Sequence, residues 1–185
     1  MKKMNFLHLA LALVLMLIFA SSVFAESSAE LAKESEAAAA ASATTKPTPK
    51  QIMEKVNKGC ELLQAEGLGA IRKFQGTGSP FIFSGTYIWI HDMQGKMVMH
   101  PIKFKLDGKS IIGLKDASGK LFFSEMNQVA KAKGAGWVSY MWPKPGEKKP
   151  SKKVSYVKLC PVEGTELVLG CGVYDISEDE IKAAQ

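Results

Sequence analysis

Apolar side chains recur every three or four residues in two segments of the chain, and this spacing predicts two amphipathic helices. The first helix is predicted to begin near residue 50 and to continue to about Phe74. Two glycines, Gly67 and Gly69, weaken its middle because glycine has low helix propensity. The second helix is predicted to run for roughly 12 residues from Leu121.

Apolar and polar residues alternate in five further segments, which predicts five strands. Two of these strands precede the second helix, and three follow it. They cover residues 85–92, 96–100, 137–142, 154–160 and 166–174. Connections of the hairpin type imply antiparallel pairing, so the predicted fold is α+β. We expect an antiparallel sheet of about five strands, with a long N-terminal helix and a shorter connecting helix.

The chain divides into four predicted parts. Residues 1–25 have a positive start, an apolar run and a small-residue end, which are typical of a signal peptide, with an uncleaved anchor as the alternative. Residues 26–49 are rich in Ala, Ser and Pro and predict a flexible tether. Residues 50–176 form the single folded domain, and residues 177–185 a short C-terminal helix or tail. We therefore expect a periplasmic or secreted protein that has no membrane span after cleavage.

The charge of the chain argues against nucleic acid as a partner. The formal net charge is +6, and the predicted signal peptide carries two of the lysines, Lys2 and Lys3. The remaining excess is too small to predict nucleic-acid binding.

Three aspartates, Asp92, Asp107 and Asp116, lie in glycine-containing turns, which indicates turn capping rather than a calcium loop. We expect no metal and no cofactor.

The three cysteines are an odd number in a predicted oxidising compartment. Cys160 and Cys171 are predicted on neighbouring strands of a hairpin that turns near Glu163. In that register Cys171 faces roughly residue 156, which leaves the two sulfurs about 13 Å apart at the usual rise per strand residue. A disulfide needs Cα atoms within about 7 Å. Buried free thiols, or a bridge from Cys60, are the remaining expectations.

Aromatic side chains alternate along the predicted strand 137–142, which places Tyr140 and Trp142 on one face. Lys153, expected at the start of the next strand, is the first candidate for pairing with a carboxylate. Each candidate also has a purely structural alternative. Lys153 would be a solvated loop lysine, the aromatic rings would be ordinary core residues, and His100 would stabilise a turn. No nucleophile with a matching base is evident, so we expect binding and no catalysis. The expected ligand-binding residues are Tyr140, Trp142, Lys153, Tyr156, Tyr87, Trp89 and His100.

Several short motifs occur in a recognisable order. They are Gly85–Trp89, Gly95–Lys96, His100–Pro101, Gly108–Lys109, Asp116, Gly119–Lys120, Gly136–Pro145, Lys153–Val157 and Gly170–Tyr174. Together they resemble the extracytoplasmic single Cache domain of the second type over about residues 50–175. The resemblance implies a PAS-like fold, with a long helix packed on an antiparallel sheet whose curved face encloses a ligand. It also implies small-molecule sensing, often of short carboxylates, for chemotaxis and signal transduction.

The resemblance leads to one expected function and one alternative. We expect an exported, soluble, sensor-type domain that binds a small carboxylate or similar organic anion. The sequence shows neither a second apolar stretch of spanning length nor a cytoplasmic signalling part, so we expect it to present its ligand to a membrane receptor or another envelope protein. The alternative is an envelope adaptor or structural protein that contacts a protein partner and has no ligand pocket.

Overall fold

The computed structural model describes residues 27–184. The predicted signal peptide, residues 1–25, lies outside the described residues. Within the described part, no helix has both the length and the hydropathy that crossing a bilayer requires.

Helices and strands alternate along the chain much as the sequence predicts, and the fold class is α+β. The helices are α1 (residues 27–41), α2 (Pro49–Glu66), α3 (Phe122–Lys133) and α4 (Glu178–Lys182), with short 3-10 helices at Leu68–Phe74 and Phe104–Leu106. The strands are β1 (Ile82–Phe83), β2 (Thr86–Asp92), β3 (Met97–Met99), β4 (Ala135–Pro143), β5 (Pro150–Val162) and β6 (Thr165–Tyr174).

The six strands form one antiparallel sheet in the order β1-β2-β6-β5-β4, and β3 pairs separately with β2. Strand β1 is the one strand that the sequence did not predict, because its two residues are too few to give an alternating pattern. The β5–β6 hairpin turns at Glu163 and Gly164, which both have positive φ (49° and 78°). Such turns match the twist of the flanking strands. The predicted register is confirmed, because Cys171 faces Tyr156.

The first predicted helix is interrupted. Helix α2 begins with a capping box in which Thr48 and Gln51 bind each other's backbone N–H groups. It ends at Glu66 because Gly67 adopts a φ of 74°, a conformation that only glycine reaches without strain. The chain continues as a 3-10 helix to Phe74, so the expectation of one continuous helix was wrong.

The sheet has two buried faces. One packs against α2, and the Cys60–Cys160 disulfide joins α2 to β5 with a Cα–Cα distance of 5.7 Å. Cys171 is a buried free thiol. Of the two outcomes that the sequence left open, the structure therefore contains the bridge from Cys60. The other face packs against α3 and carries most of the aromatic side chains.

The segment expected to be a flexible tether is helical over residues 27–41 and packs on the domain. Ala39 is fully buried. The Ser35 hydroxyl accepts a hydrogen bond from the backbone N–H of Gly76 (2.8 Å), and the Ser42 hydroxyl accepts one from that of Gly85 (3.2 Å). Alanine combines high helix propensity with a small side chain, so this run makes a stable helix that approaches its neighbours closely.

Candidate functional site

Lys153 lies inside β5, which begins at Pro150, and its side chain is fully buried (0% exposed). Its Nζ atom lies 4.4 Å from the ring centre of Tyr87, 5.4 Å from that of Trp89 and 5.1 Å from that of Tyr174. Within the described part of the chain this ammonium has no hydrogen-bond partner. Lys153 is therefore not a solvated loop lysine.

The strand register explains why these groups meet. Lys153 pairs with Tyr140 of β4 on one side and with Tyr174 of β6 on the other, so the three side chains project from the same face. Gly172 provides the space beneath them. A Cβ atom on Gly172 would lie 2.7 Å from Cε of Lys153 and 2.0 Å from Oγ of Ser155, closer than the packing allows. Glycine is thus a requirement of this site.

Tyr140 forms the side of the site nearest α3. Its ring stacks on Phe122 at 4.5 Å with an interplanar angle of 2°. Its hydroxyl shares a 3.1 Å hydrogen bond with Oγ of Ser155. Phe122 also lies 5.5 Å from the ring of Trp142, so one phenylalanine from α3 contacts the two aromatic residues of β4 that lie on this face.

Tyr87 and Trp142 are joined directly, because the indole N–H of Trp142 donates to the Tyr87 hydroxyl at 3.1 Å. The His100 ring lies 5.1 Å from Tyr87 and 6.1 Å from Trp142. Nδ1 of His100 accepts from the backbone N–H groups of Ile102 (3.3 Å) and Lys103 (2.9 Å). This places the proton of neutral His100 on Nε2, so Nε2 is a hydrogen-bond donor. His100 therefore stabilises this turn, as the structural alternative predicts.

A buried hydrogen-bond chain fixes Trp89. Its indole N–H donates to Nδ1 of His91 (3.2 Å), which leaves Nε2 of His91 to donate to Oδ1 of Asn127 in α3 (2.9 Å). Nδ2 of Asn127 then donates to the carbonyl of Met93 (3.1 Å). Burial lowers the pKa of His91 to about 4, which keeps the imidazole neutral around neutral pH.

Burial also controls the charge of the candidate site. It lowers the pKa of Lys153 to about 8, which leaves the ammonium mostly protonated at neutral pH. Burial, together with the positive charge of Lys153, holds the pKa of His100 well below its usual range. Burial raises the pKa values of Tyr87 and Tyr140, so both hydroxyls remain protonated donors. The site therefore presents one positive charge and several neutral donors.

A turn in the loop before α3 is tied to β4. Oδ2 of Asp116 accepts from the backbone N–H of Met141 at 2.8 Å, and Nζ of Lys120 donates to the carbonyl of Ser139 at 2.6 Å. This loop leads directly into Phe122. Over residues 27–184, no group of three or more His, Cys, Asp or Glu side chains is placed to hold a metal ion.

One predicted site residue, Tyr156, lies elsewhere. It is three positions from Lys153, and residues an odd number apart on a strand project from opposite faces. Tyr156 packs against Trp137 at 5.3 Å and belongs to the core beside α2. The structure brings together the other six candidates: Tyr140, Trp142, Lys153, Tyr87, Trp89 and His100.

Sequence reasoning missed four residues that shape the site: Tyr174, Phe122, Ser155 and Gly172. The expected pairing of Cys171 with residue 156 places Tyr174 opposite Lys153, so the register contained the signal for Tyr174. Phe122 gave no such signal, because a helical apolar residue looks the same whether it lines a site or fills a core.

A segment of this chain is similar in sequence to two known signalling proteins. Over 88 residues, or 48% of this chain, it is 42% identical to the methyl-accepting chemotaxis protein McpP of Pseudomonas putida. Over a segment of equal length it is 31% identical to the sensor histidine kinase MctS of Rhizobium johnstonii. These matches cover 16% and 18% of the two relatives, so the chain corresponds to a small part of each.

Solved structures give the same assignment over more of the chain. A periplasmic sensor domain of a chemotaxis protein is 30% identical, with a TM-score of 0.51, over 83% of this chain and 98% of that one. A Cache chemosensory domain described for its carboxylic acid recognition is also 30% identical, with a TM-score of 0.54, over 84% and 98%. A methyl-accepting chemotaxis protein of Vibrio parahaemolyticus shares the fold at 22% identity and a TM-score of 0.56, over 69% and 85%.

A family model described as a Cache domain matches residues 46–183, which is most of the chain. The matched segment includes α2, the whole sheet and all the residues gathered around Lys153. It begins after α1, so that helix lies outside the family match. The expected resemblance is confirmed, and this chain belongs to the Cache domain family of PAS-like sensor domains.

Proposed function

We propose that this domain is an exported sensor module that binds a small organic carboxylate at Lys153 and acts without catalysis. The observation that carries the proposal is the fully buried ammonium of Lys153, which has no hydrogen-bond partner among the described residues. Burying a charge without a partner is costly, and such charges are normally paired or found at functional sites. An anionic guest supplies the missing partner.

The surrounding groups suit a carboxylate. The ammonium of Lys153 pairs with one oxygen in a charge-assisted bond worth about 1.5–3 kcal/mol. The protonated hydroxyls of Tyr87 and Tyr140 are additional donors. The indole rings of Trp89 and Trp142 are apolar walls for the hydrocarbon part of the ligand. No acidic side chain is recorded in hydrogen-bond or ion-pair contact with Lys153 among the described residues, so nothing there competes with the ligand.

The comparisons favour the same class of ligand and the same setting. The related structure described for carboxylic acid recognition covers most of this chain. Another related structure is a periplasmic sensor domain, and the matched relative McpP is a chemotaxis protein. By this likeness we place the domain in the periplasm. There its ligand-bound form is recognised by a membrane receptor or another envelope protein.

An adaptor without a ligand site is the weaker explanation. An adaptor has no use for an unpaired cation inside its sheet, because a methionine in that position would pack as well and cost less. The lysines of the β4–β5 loop, such as Lys148 and Lys149, are exposed and need no special explanation.

Thermal-shift measurements with short mono- and dicarboxylates test the proposal, with the corresponding amides as neutral controls. Ligand at a hundredfold excess over Kd stabilises the folded state by about 2.7 kcal/mol. We expect at least one carboxylate, and none of the amides, to raise the melting temperature. Lys153→Met should abolish the shift, whereas Lys149→Met, in the exposed loop, should retain it. If no carboxylate stabilises the wild-type domain, or if Lys153→Met retains the shift, the proposal is wrong.

A further inference from the structure

A cavity of about 290 Å³ lies on the side of the sheet opposite Lys153. Its floor is formed by Trp137 of β4 and Val154 of β5, which project toward the α2 side. Its wall is formed by Ile176 and Ile181, from the segment that contains α4. We call this cavity the α4 groove. It shares no lining residue with the site around Lys153.

The indole N–H of Trp137 is the first unusual feature of the α4 groove. Nε1 of Trp137 is buried and has no hydrogen-bond partner in the described part of the chain. The ring itself is only partly buried and rests against Tyr156 at 5.3 Å between ring centres. Buried indole N–H groups usually find an acceptor, and an unmet one costs free energy. An acceptor atom that reached Nε1 would remove that cost.

The charges around the α4 groove are the second feature. Lys152 and Lys182 both line it, and the other lining residues whose side chains the structure describes are uncharged. Neither lysine forms an ion pair with a side chain that the structure describes. The nearby carboxylate of Glu180 is engaged elsewhere, because it accepts from the backbone N–H of Ser177 (2.9 Å) and lies 3.7 Å from Nζ of Lys46. The groove therefore has two lysines at its rim and an apolar floor.

We propose that the α4 groove is a second ligand site, which takes an organic anion with a carboxylate on an aromatic or branched apolar body. The body packs on Trp137, Ile176 and Ile181, and the carboxylate lies near Lys152 and Lys182 and accepts from the indole N–H. The volume is at the lower end of the roughly 300–1,000 Å³ range of small-molecule pockets, which fits a one-ring molecule. Such binding would act on α4, the element that ends the described chain.

The test uses the whole domain in the Lys153→Met background, so the first site does not contribute. The probe is phenylacetate, and the readout is the indole N–H resonances of a uniformly 15N-labelled sample. The chain has three tryptophans, and a Trp137→Phe variant identifies the resonance of Trp137. We expect phenylacetate to move this resonance saturably. 2-Phenylethanol, which has the same ring but no charge, should bind more weakly.

A second variant separates ligand binding from a general effect on folding. Replacing both groove lysines by glutamine (Lys152→Gln with Lys182→Gln) should weaken phenylacetate binding about fivefold, as expected for two ion pairs of exposed lysines. The same change should leave short carboxylates bound at Lys153 when that lysine is present. The inference is overturned if the Trp137 resonance does not move, if phenylacetate and 2-phenylethanol bind equally, or if the lysine changes have no effect. These outcomes do not depend on whether the site at Lys153 binds a ligand.

Discussion

Nζ of Lys153 lies 4.4 Å from the ring centre of Tyr87, although the two residues belong to strands that flank β6 on opposite sides. Because Gly172 of β6 has no side chain, Cε of Lys153 and Oγ of Ser155 occupy the space above it. Cation–π contacts with desolvated rings contribute roughly 0.5–2 kcal/mol each, but they do not satisfy the three N–H groups of the ammonium. The domain therefore retains an incompletely stabilised charge where we propose that the ligand binds.

The first expectation concerns stability without ligand. Lys153→Met keeps the length of the side chain and removes the buried charge, so it should stabilise the unliganded domain by about 1–3 kcal/mol. Chemical denaturation of the purified variant and the wild type measures the difference. A variant less stable than the wild type would contradict the view that the ammonium lacks a partner.

The second expectation concerns the pH dependence of binding. The pKa of Lys153 is lowered to about 8 by burial, so the fraction of charged ammonium falls as the pH rises through that value. Carboxylate affinity should be nearly constant between about pH 6 and pH 7, where the ligand is ionised, and should fall close to tenfold per unit well above the pKa of Lys153. Isothermal titration calorimetry across that range measures it. Affinity that stays constant up to about pH 10, where an ordinary lysine begins to lose its proton, would argue against Lys153 as the binding charge.

The third expectation concerns acid stability. The pKa of His91 is about 4 in the folded domain and about 6.5 in an unfolded chain, so the unfolded state binds more protons between these values. His91 therefore contributes stability that is present above about pH 6.5 and is lost as the pH falls toward 4, by up to about 1.4 kcal/mol per pH unit. His91→Gln should reduce this slope. Asp107, whose pKa burial raises to about 6, contributes with the opposite sign.

The measurement compares denaturation midpoints of wild type and His91→Gln at several pH values in that window. Only the difference between the two slopes reports on His91, because the carboxylates that titrate in this pH range are the same in both proteins. Equal slopes would mean that burial does not hold His91 neutral in the folded domain.

The fourth expectation concerns the disulfide. Cys60 and Cys160 are 100 residues apart, and a closed loop of this length stabilises a fold by roughly 2–5 kcal/mol. The double change Cys60→Ala with Cys160→Ala should lower the unfolding free energy by that amount. A reductant should destabilise the wild type and leave the double variant unchanged. If reductant has no effect on the wild type, the bridge contributes nothing to stability.

Sequence alternation predicted the faces of the sheet well where the strands are regular. Tyr87 and Trp89 on β2, and Tyr140 and Trp142 on β4, lie on the expected face. Such patterns are informative because every second residue of a strand projects to the same side. Tyr156 was predicted on the wrong face, because it is an odd number of residues from Lys153 on the same strand.

Two other features could not be read from local pattern. β5 begins at Pro150, within a run of lysines that looks like a solvated loop, so the burial of Lys153 depends on pairing with β4 and β6. Helix α1 lies in a segment whose composition is typical of linkers, yet Ser35 and Ala39 are fully buried against the domain. In both cases tertiary contacts outweigh the local preference of the sequence.

The most direct test of the central claim is a crystal structure of the domain with the carboxylate that stabilises it most. We expect a carboxylate oxygen within about 2.7–2.9 Å of Nζ of Lys153, the distance of a charge-assisted hydrogen bond. The ligand should lie between the rings of Tyr87, Trp89 and Tyr140. A saturably bound carboxylate located elsewhere, with the ammonium of Lys153 still unpartnered among the rings, would contradict the account.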